Sequence, residues 1–218
     1  MSDVENTAPS TPAESEAAAP VRKRPKPGER RVQILQALAT MLEQPGAERI
    51  TTAALAAKLE VSEAALYRHF ASKAQMFEGL IEFIEQTVFS LVNQITEREA
   101  GANDAAAGVR QAGKIITMLV QFAEKNPGMT RVMVGDALVF ENERLQQRMN
   151  QFFDKIESTL KQCLREGVQP GSATPSVDAQ VGASVLTAFV VGRLQRFARS
   201  GFRRLPSEHL EASLAQML

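Results

Sequence analysis

Between Thr51 and Lys73 the chain gathers the side chains that phosphate oxygens and base edges require. Thr51, Thr52 and Ser62 carry hydroxyls where short helices can begin, and backbone N–H groups at helix starts are ready anion donors. Ser62, Glu63, Ala64 and Ala65 are short enough to let a helix come close to a groove. Glu63 can accept from a cytosine amino group, and Ala64 or Ala65 can touch a thymine methyl. Tyr67, Arg68, His69 and Lys73 follow with donors suited to phosphate oxygens. The chemistry on offer is recognition, since nothing here resembles a catalytic set. His69 and His209 are the only histidines and Cys163 the only cysteine, without the spacing of a metal site or a triad. No paired carboxylates, nucleophile with a base, or phosphate loop is visible, so no enzyme, metal or cofactor is expected. Cys163 reads as a small, half-buried thiol.

Helices must hold these residues. Val32, Leu35, Leu38, Ala39 and Leu42 recur at three and four residues, giving a first helix that ends near Gln44-Pro45-Gly46. Thr52 is the expected cap of a short second helix carrying Leu55, Ala56 and Leu59. Ser62 caps a third that runs to Phe70, with Ala65, Leu66 and Phe70 inward. Two short helices joined by Glu60-Val61 behind an amphipathic one have the spacing of a helix-turn-helix. An ordinary helical hairpin shares that periodicity; the local positive charge and Tyr67, His69 and Lys73 together favour DNA. Beyond it, Ser72 caps a long helix from Lys73 to about Arg98. Further helices are expected over Asp104 to Lys125, Pro127 to about Gly135, Phe140 to about Glu166, about Ser176 to Ser200, and from near Ser207. Gly167 to Pro175 reads as a loop. Sustained alternation is missing, so the class is all-α with about nine helices.

Charge is distributed rather than abundant. Over 218 residues, 25 basic and 25 acidic groups cancel, so net charge licenses neither a nucleic-acid nor a membrane partner. Residues 1–21 hold Asp3, Glu5, Glu14 and Glu16 and no Lys or Arg, whereas residues 22–78 hold ten basic against six acidic groups. An acidic tail therefore precedes a basic module. Residues 1–28, rich in Ala, Pro, Ser and Glu, read as a disordered tail. Its basic end, Val21 to Lys26, suits either a solubilising linker or a DNA-contacting arm. No signal-peptide order and no apolar run of about 18 residues occurs, which points to the cytoplasm.

Residues 30–76, above all Ile50-Thr51-Thr52-Ala53-Ala54-Leu55-Ala56, Val61-Ser62, Ala65-Leu66-Tyr67-Arg68-His69-Phe70 and Ser72-Lys73, resemble the DNA-binding domain of TetR-type regulators. The resemblance implies a tail over 1–28, a helix-turn-helix domain over 29–75 and a helical regulatory, partner-binding and dimerisation domain over 76–218. It implies a homodimer whose Ser62-to-Phe70 helix enters the major groove while Thr52, Tyr67, His69 and Lys73 hold phosphates. Leu80 to Glu85, Asn126 to Arg131 and Ala137 to Glu141 carry a closer resemblance, over about Arg30 to Glu166, to the nucleoid occlusion factors of that family. That likeness implies a nucleoid-associated bacterial protein that binds chromosomal palindromes and, on DNA, blocks assembly of the tubulin-like division protein FtsZ. It also places Phe83, Lys125 and Asn126 where the FtsZ tail binds, and Leu91 at a matching position of different residue type.

Periodicity offers a surface for such a partner. Met76, Leu80, Ile81, Ile84, Val88, Leu91, Val92 and Ile95 form one apolar stripe on the long helix. Phe83 lies off its centre, and Phe89 falls among Glu78, Glu82 and Glu85 on the polar side. Ala112, Ile116, Leu119 and Ala123 mark the core face of the next helix, with Met118 and Lys125 on its flank. Phe83, Met118 and Lys125 would suit a peptide with an apolar anchor and an acidic group. Each also has a plainer role, as core edge, packing filler or solvated cation, with Asn126 as a cap before Pro127. Val181 to Leu194 is apolar nearly all round, and Gly182, Ala183, Ser184 and Gly192 allow close approach, so this helix, with Phe140 to Glu166, is the expected dimer interface. Arg193, Arg196, Arg199, Arg203 and Arg204 read as a solvated basic face or as added charge for an acidic partner. The alternative function is a ligand-responsive repressor, with walls from Ile115, Ile116, Leu119, Phe122 and Val132 and polar candidates Thr117 and Asp136.

Overall fold

A computed structural model of the chain describes residues 28–44, 50–99, 106–166 and 178–218. Of the tail expected over 1–28 all but Gly28, and the whole loop expected over 167–175, lie outside the described residues. Among the described residues there are nine α-helices and no strand. They are α1 (Glu29–Leu42), α2 (Thr52–Lys58), α3 (Glu63–Tyr67), α4 (Lys73–Glu99), α5 (Ala107–Lys125), α6 (Pro127–Met133), α7 (Glu143–Glu166), α8 (Ala179–Arg199) and α9 (Leu210–Met217), with a 3-10 turn at Asp136–Leu138.

Capping chemistry explains several boundaries and corrects others. Thr51, not Thr52, caps α2: its side chain accepts from the Ala54 N–H at 3.1 Å, and Thr52 is already helical. Ser62 caps α3 through the Ala65 N–H at 3.3 Å, and Ser72 accepts from the Gln75 N–H at 3.2 Å where α4 begins. The third helix is shorter than expected, ending at Tyr67; the His69 and Phe70 N–H groups bond back to Leu66 O to close it. The α2–α3 connection is a Schellman turn: Val61 N–H reaches Ala56 O, Glu60 N–H reaches Ala57 O, and Glu60 takes the left-handed φ of 54°. The seventh helix starts at Glu143 rather than near Phe140, because Asn142 Oδ1 accepts from the Arg144 N–H. Likewise Asp178 caps α8 through the Gln180 N–H. The last helix begins at Leu210, because His209 before it takes the left-handed φ of 54° and interrupts the run from Ser207; the Ser207 N–H donates to Glu124 Oε1 at 2.8 Å.

One continuous hydrophobic cluster runs from Ile34, Leu38 and Leu42 on α1, through Leu55, Leu66 and Phe70, along α4 and α5, to Leu160, Leu186 and Leu210. α7 packs along both α5 and α8, and α4 packs on α5. The expected stripe on α4 is core from Met76 to Val92, but Leu91 and Ile95 are only partly buried. Phe89 is a correction: it is not on a solvated face but packs edge-on to Phe152 of α7, 5.5 Å between ring centroids. Beside it Glu85 pairs with Arg148 of α7, at 3.0 and 2.6 Å. That hydrogen bond raises the guanidinium above its ordinary value against a lowering by burial, with Glu85, Glu82 and Glu78 adding charge in the same upward direction. Cys163 is fully buried rather than half-buried, because α7 turns it inward.

The first three helices are fixed to the rest by two close approaches on α1. At Gly79 of α4 an added Cβ would lie 3.3 Å from Leu35 and 3.1 Å from Phe70. At Gly128 of α6 it would lie 1.9 Å from the Ala39 carbonyl oxygen and 3.2 Å from Leu42 Cβ. Backbone cannot retract as a side chain can, so Gly128→Ala is expected to cost on the order of 3 kcal/mol or more. Thermal unfolding of that variant checks it.

Candidate nucleic-acid interface and partner surface

The expected DNA-facing residues assemble on one edge of α2 and α3. Thr51, Ser62, Glu63, Ala64, Tyr67 and Arg68 are exposed, and Thr52, Ala65, His69 and Lys73 are partly so. Sequence alone assigned them separate tasks, whereas the structure joins three. Tyr67 Oη donates to Thr52 Oγ1 at 3.4 Å, and Thr52 Oγ1 donates to Glu63 Oε2 at 2.5 Å. Glu63, the candidate base reader at the start of α3, is thus held in one orientation by a hydroxyl relay from α2.

Two further residues support this edge. Arg31 of α1 was not singled out in the sequence, yet its Nη1 donates to His69 O at 2.6 Å and its guanidinium stacks 4.2 Å above the Phe70 ring. It closes the end of the third helix. Its only sequence signal is a basic residue before the first apolar repeat. Lys73, expected at phosphate, donates its ammonium to Glu141, which stands between the 3-10 turn and α7.

A second group lies where the first three helices meet the bundle. Phe83 stands 45% exposed on α4, one turn beyond Gly79. Lys125, exposed, and Asn126, partly buried, end α5 just before Gly128. Since Leu35 meets Gly79 and Ala39 meets Gly128, one turn apart on α1, Phe83 and the Lys125–Asn126 corner share the end of the bundle next to α1. Met118 and Leu91 lie further along, about 10 to 12 Å by helical rise, both partly buried. Asn126 holds the N-cap position of α6, as expected before Pro127, but its side chain makes no capping bond there; its Nδ2 donates to Phe122 O at 2.7 Å and finishes α5.

The residues expected to wall a ligand cavity are packed against one another. Ile115, Ile116, Leu119, Phe122 and Val132 are packed core, and Thr117 bonds within its own helix to Gly113 O. A different concavity of about 390 Å³ lies between α4, α5 and α7, lined by residues including Phe89, Asn93, Thr96, Gln111 and Cys163. On α8, Val181 and Val185 are exposed, 53% and 49%, in line with exposed Ala188 and open Gly192. This is an apolar stripe at i, i+4, i+7 and i+11 without a cover in the single chain. Arg193 is not solvated: it bonds to Pro206 O and Ser213 Oγ and stacks on Phe189, fastening α9 to α8. Arg196, Arg199 and Arg204 are exposed. No described helix is long and apolar enough to cross a membrane.

Residues 34–80 match the family described as "Bacterial regulatory proteins, tetR family", and residues 108–218 match "Tetracyclin repressor-like, C-terminal domain", of the SlmA-like kind. The nucleoid occlusion factor SlmA of Idiomarina loihiensis is 50% identical over 183 residues, covering 84% of this chain and 90% of that protein. SlmA of Vibrio cholerae is 51% identical over 184 residues, with the same coverage of 84% and 90%. Among solved structures, the regulator FadR of Bacillus subtilis in complex with stearoyl-CoA superposes with a TM-score of 0.66 at 14% identity, over 85% of this chain and 96% of that one. AibR, in complex with isovaleryl coenzyme A and operator DNA, gives 0.63 at 17% over 86% and 97%. At such identities these two establish the fold alone.

Tyr67 is 45% exposed, and its single O–H can leave Thr52 Oγ1 for a phosphate oxygen, so Tyr67→Phe should weaken binding to specific and scrambled duplexes alike, by about tenfold for one charge-assisted contact. Fluorescence anisotropy with both duplexes measures it; a changed base preference at undiminished affinity would instead place Tyr67 on the bases.

Proposed function

Because the chain belongs to the TetR family of bacterial regulatory proteins, and within it to the SlmA nucleoid occlusion factors, we propose that its DNA-bound dimer captures the C-terminal tail of FtsZ at the α4–α5 end beside the helix-turn-helix. As a nucleoid occlusion factor it binds specific chromosomal sites, places itself on the nucleoid and prevents septum formation there. The observation that carries the tail site is Phe83, a large aromatic left 45% exposed on α4, with the exposed cation of Lys125 at the end of α5. An apolar anchor next to a positive charge suits a short peptide with an apolar side chain and a carboxylate. Met118 and Leu91 continue the apolar track along α5 and α4.

In this reading α3 enters the major groove, with Thr51, Thr52, Ser62, Tyr67, Arg68, His69 and Lys73 at the backbone and Glu63, Ala64 and Ala65 at base edges. The uncovered stripe on α8 is the face that meets a second copy, and two-fold symmetry of that contact calls for a palindromic site. Coupling follows from α1, which touches the DNA-reading helices, α4 beside Phe83 and α6 beside Asn126. DNA fixes the orientation of α1, and an orientation that suits the tail must by linkage be favoured by the tail as well.

Titrating a labelled FtsZ C-terminal tail peptide with the protein, with and without a selected palindromic duplex, should show tighter tail binding in the presence of DNA; absence of tail binding in both states sinks the assignment. Phe83→Ala should lower tail affinity by about tenfold or more while sparing DNA affinity. Val185→Glu should leave the helical content intact, shift sedimentation toward the single chain and weaken palindrome binding, since a charge on an apolar interface is left unpaired.

A further inference from the structure

We propose that Glu141 sets how tightly this protein holds DNA, by competing with the phosphate backbone for the ammonium of Lys73; the inference rests on the reading that Lys73 meets phosphate. Lys73 is the first residue of α4, directly after the helix-turn-helix, and its ammonium is donated to Glu141 Oε1. The two side chains are unequally exposed, 31% for Lys73 and 9% for Glu141. The cation can therefore reach outward, but the carboxylate cannot follow it. The Lys73 ammonium also stands 5.7 Å from the centre of the Phe77 ring, which holds its stem against α4.

Glu141 is anchored where it sits. Its N–H bonds to Leu138 O at 3.0 Å, closing the turn that leads into α7, and Lys73 is the ion-pair partner recorded for its carboxylate among the described residues. A phosphate that draws Lys73 outward leaves a nearly buried carboxylate without its cation, and that desolvated charge opposes the exchange. DNA binding at Lys73 is thus a substitution of one anion for another, with Glu141 the resident. The competition carries no base information, so its effect is equal on all duplexes.

The contact also has a place in transmission. Glu141 follows Val139 and Phe140, 70% and 60% exposed, and stands two residues before α7, which packs on α4, α5 and α8. Taking Lys73 from Glu141 removes one tie between α4 and the entry to α7, while the Glu85–Arg148 pair stays, so occupancy of one phosphate contact changes a constraint on the helix next to the partner and dimer faces.

Anisotropy with a selected palindrome and a scrambled duplex, at one ionic strength, tests this on the full chain. Glu141→Gln should tighten both duplexes by about fivefold, Lys73→Ala should weaken both, and in the Lys73→Ala background Glu141→Gln should have no effect. Glu143→Gln, an exposed carboxylate on the first turn of α7, controls for loss of charge at a distance. A Glu141→Gln gain that persists without Lys73, or that Glu143→Gln matches, reduces the effect to general electrostatics and overturns the competition. A Lys73→Ala loss with no Glu141→Gln gain overturns it as well. Lys73→Ala without any loss defeats the phosphate reading itself, a separate failure. Should Glu141→Gln lower the melting temperature, Glu141→Asp, which keeps the charge but shortens its reach, takes its place, and unchanged affinity in that variant counts against the proposal.

Discussion

The placing of the DNA-reading helices on the rest of the molecule depends on the contact of α1 with α6, where Gly128 lies backbone to backbone against the Ala39 carbonyl. A contact without side chains has almost no compliance, since neither partner has a rotamer to change. Motion of the first helix is therefore passed on instead of absorbed. The core reinforces this, because the hydrophobic cluster of the DNA-reading helices is continuous with that of the bundle. Fully buried Thr130, whose hydroxyl bonds to Ala123 O at 2.9 Å, fixes the α5–α6 corner from inside. The Lys125–Asn126 corner thus adjoins a close-packed backbone contact, and a binding surface gains from such preorganisation.

The reading edge is built on a different principle, that of hydrogen-bonded polar groups at the ends of short helices. Helices of five and seven residues are far too short to be stable alone. They persist because Thr51 and Ser62 satisfy their first N–H groups, the Schellman turn at Glu60 satisfies the carbonyls between them, and Leu55, Leu66 and Phe70 bury one side. What remains outward is a short row of small residues with a carboxylate at its head, oriented by Thr52 and Tyr67. Arg31, by stacking on Phe70 and bonding to His69 O, makes the end of that row depend on α1.

Much of this was legible in the sequence, for physical reasons that also explain what was not. Helix periodicity is a property of one segment, so α4, α5 and the helix-turn-helix could be placed from their apolar spacing and Ser62 recognised as a cap. Phe89 was misread for the same reason: one helix's repeat says nothing of a later helix that covers a second face, and α7 brings Phe152 and Arg148 onto the side that the glutamates mark as polar. Thr51 and Thr52 are adjacent hydroxyls, and only the backbone decides which is the cap. The relay from Tyr67 through Thr52 to Glu63, and the pairing of Lys73 with Glu141 across 68 residues, are tertiary facts that no local pattern encodes. Arg193 read as part of a basic run, but the carbonyls that claim it belong to a turn folded back from further along the chain.

The uncovered stripe on α8, Val181, Val185, Ala188 and Gly192, has a consequence for dosage. A site that must be filled by two copies joined through such a face responds, while free chains predominate, to the square of protein abundance. Halving the amount of this protein then empties its sites about fourfold in that regime, and the modest apolar area of the stripe sets the abundance at which the regime ends. Weak self-association would make occupancy of the chromosome a steep gauge of how much protein each cell inherits at division.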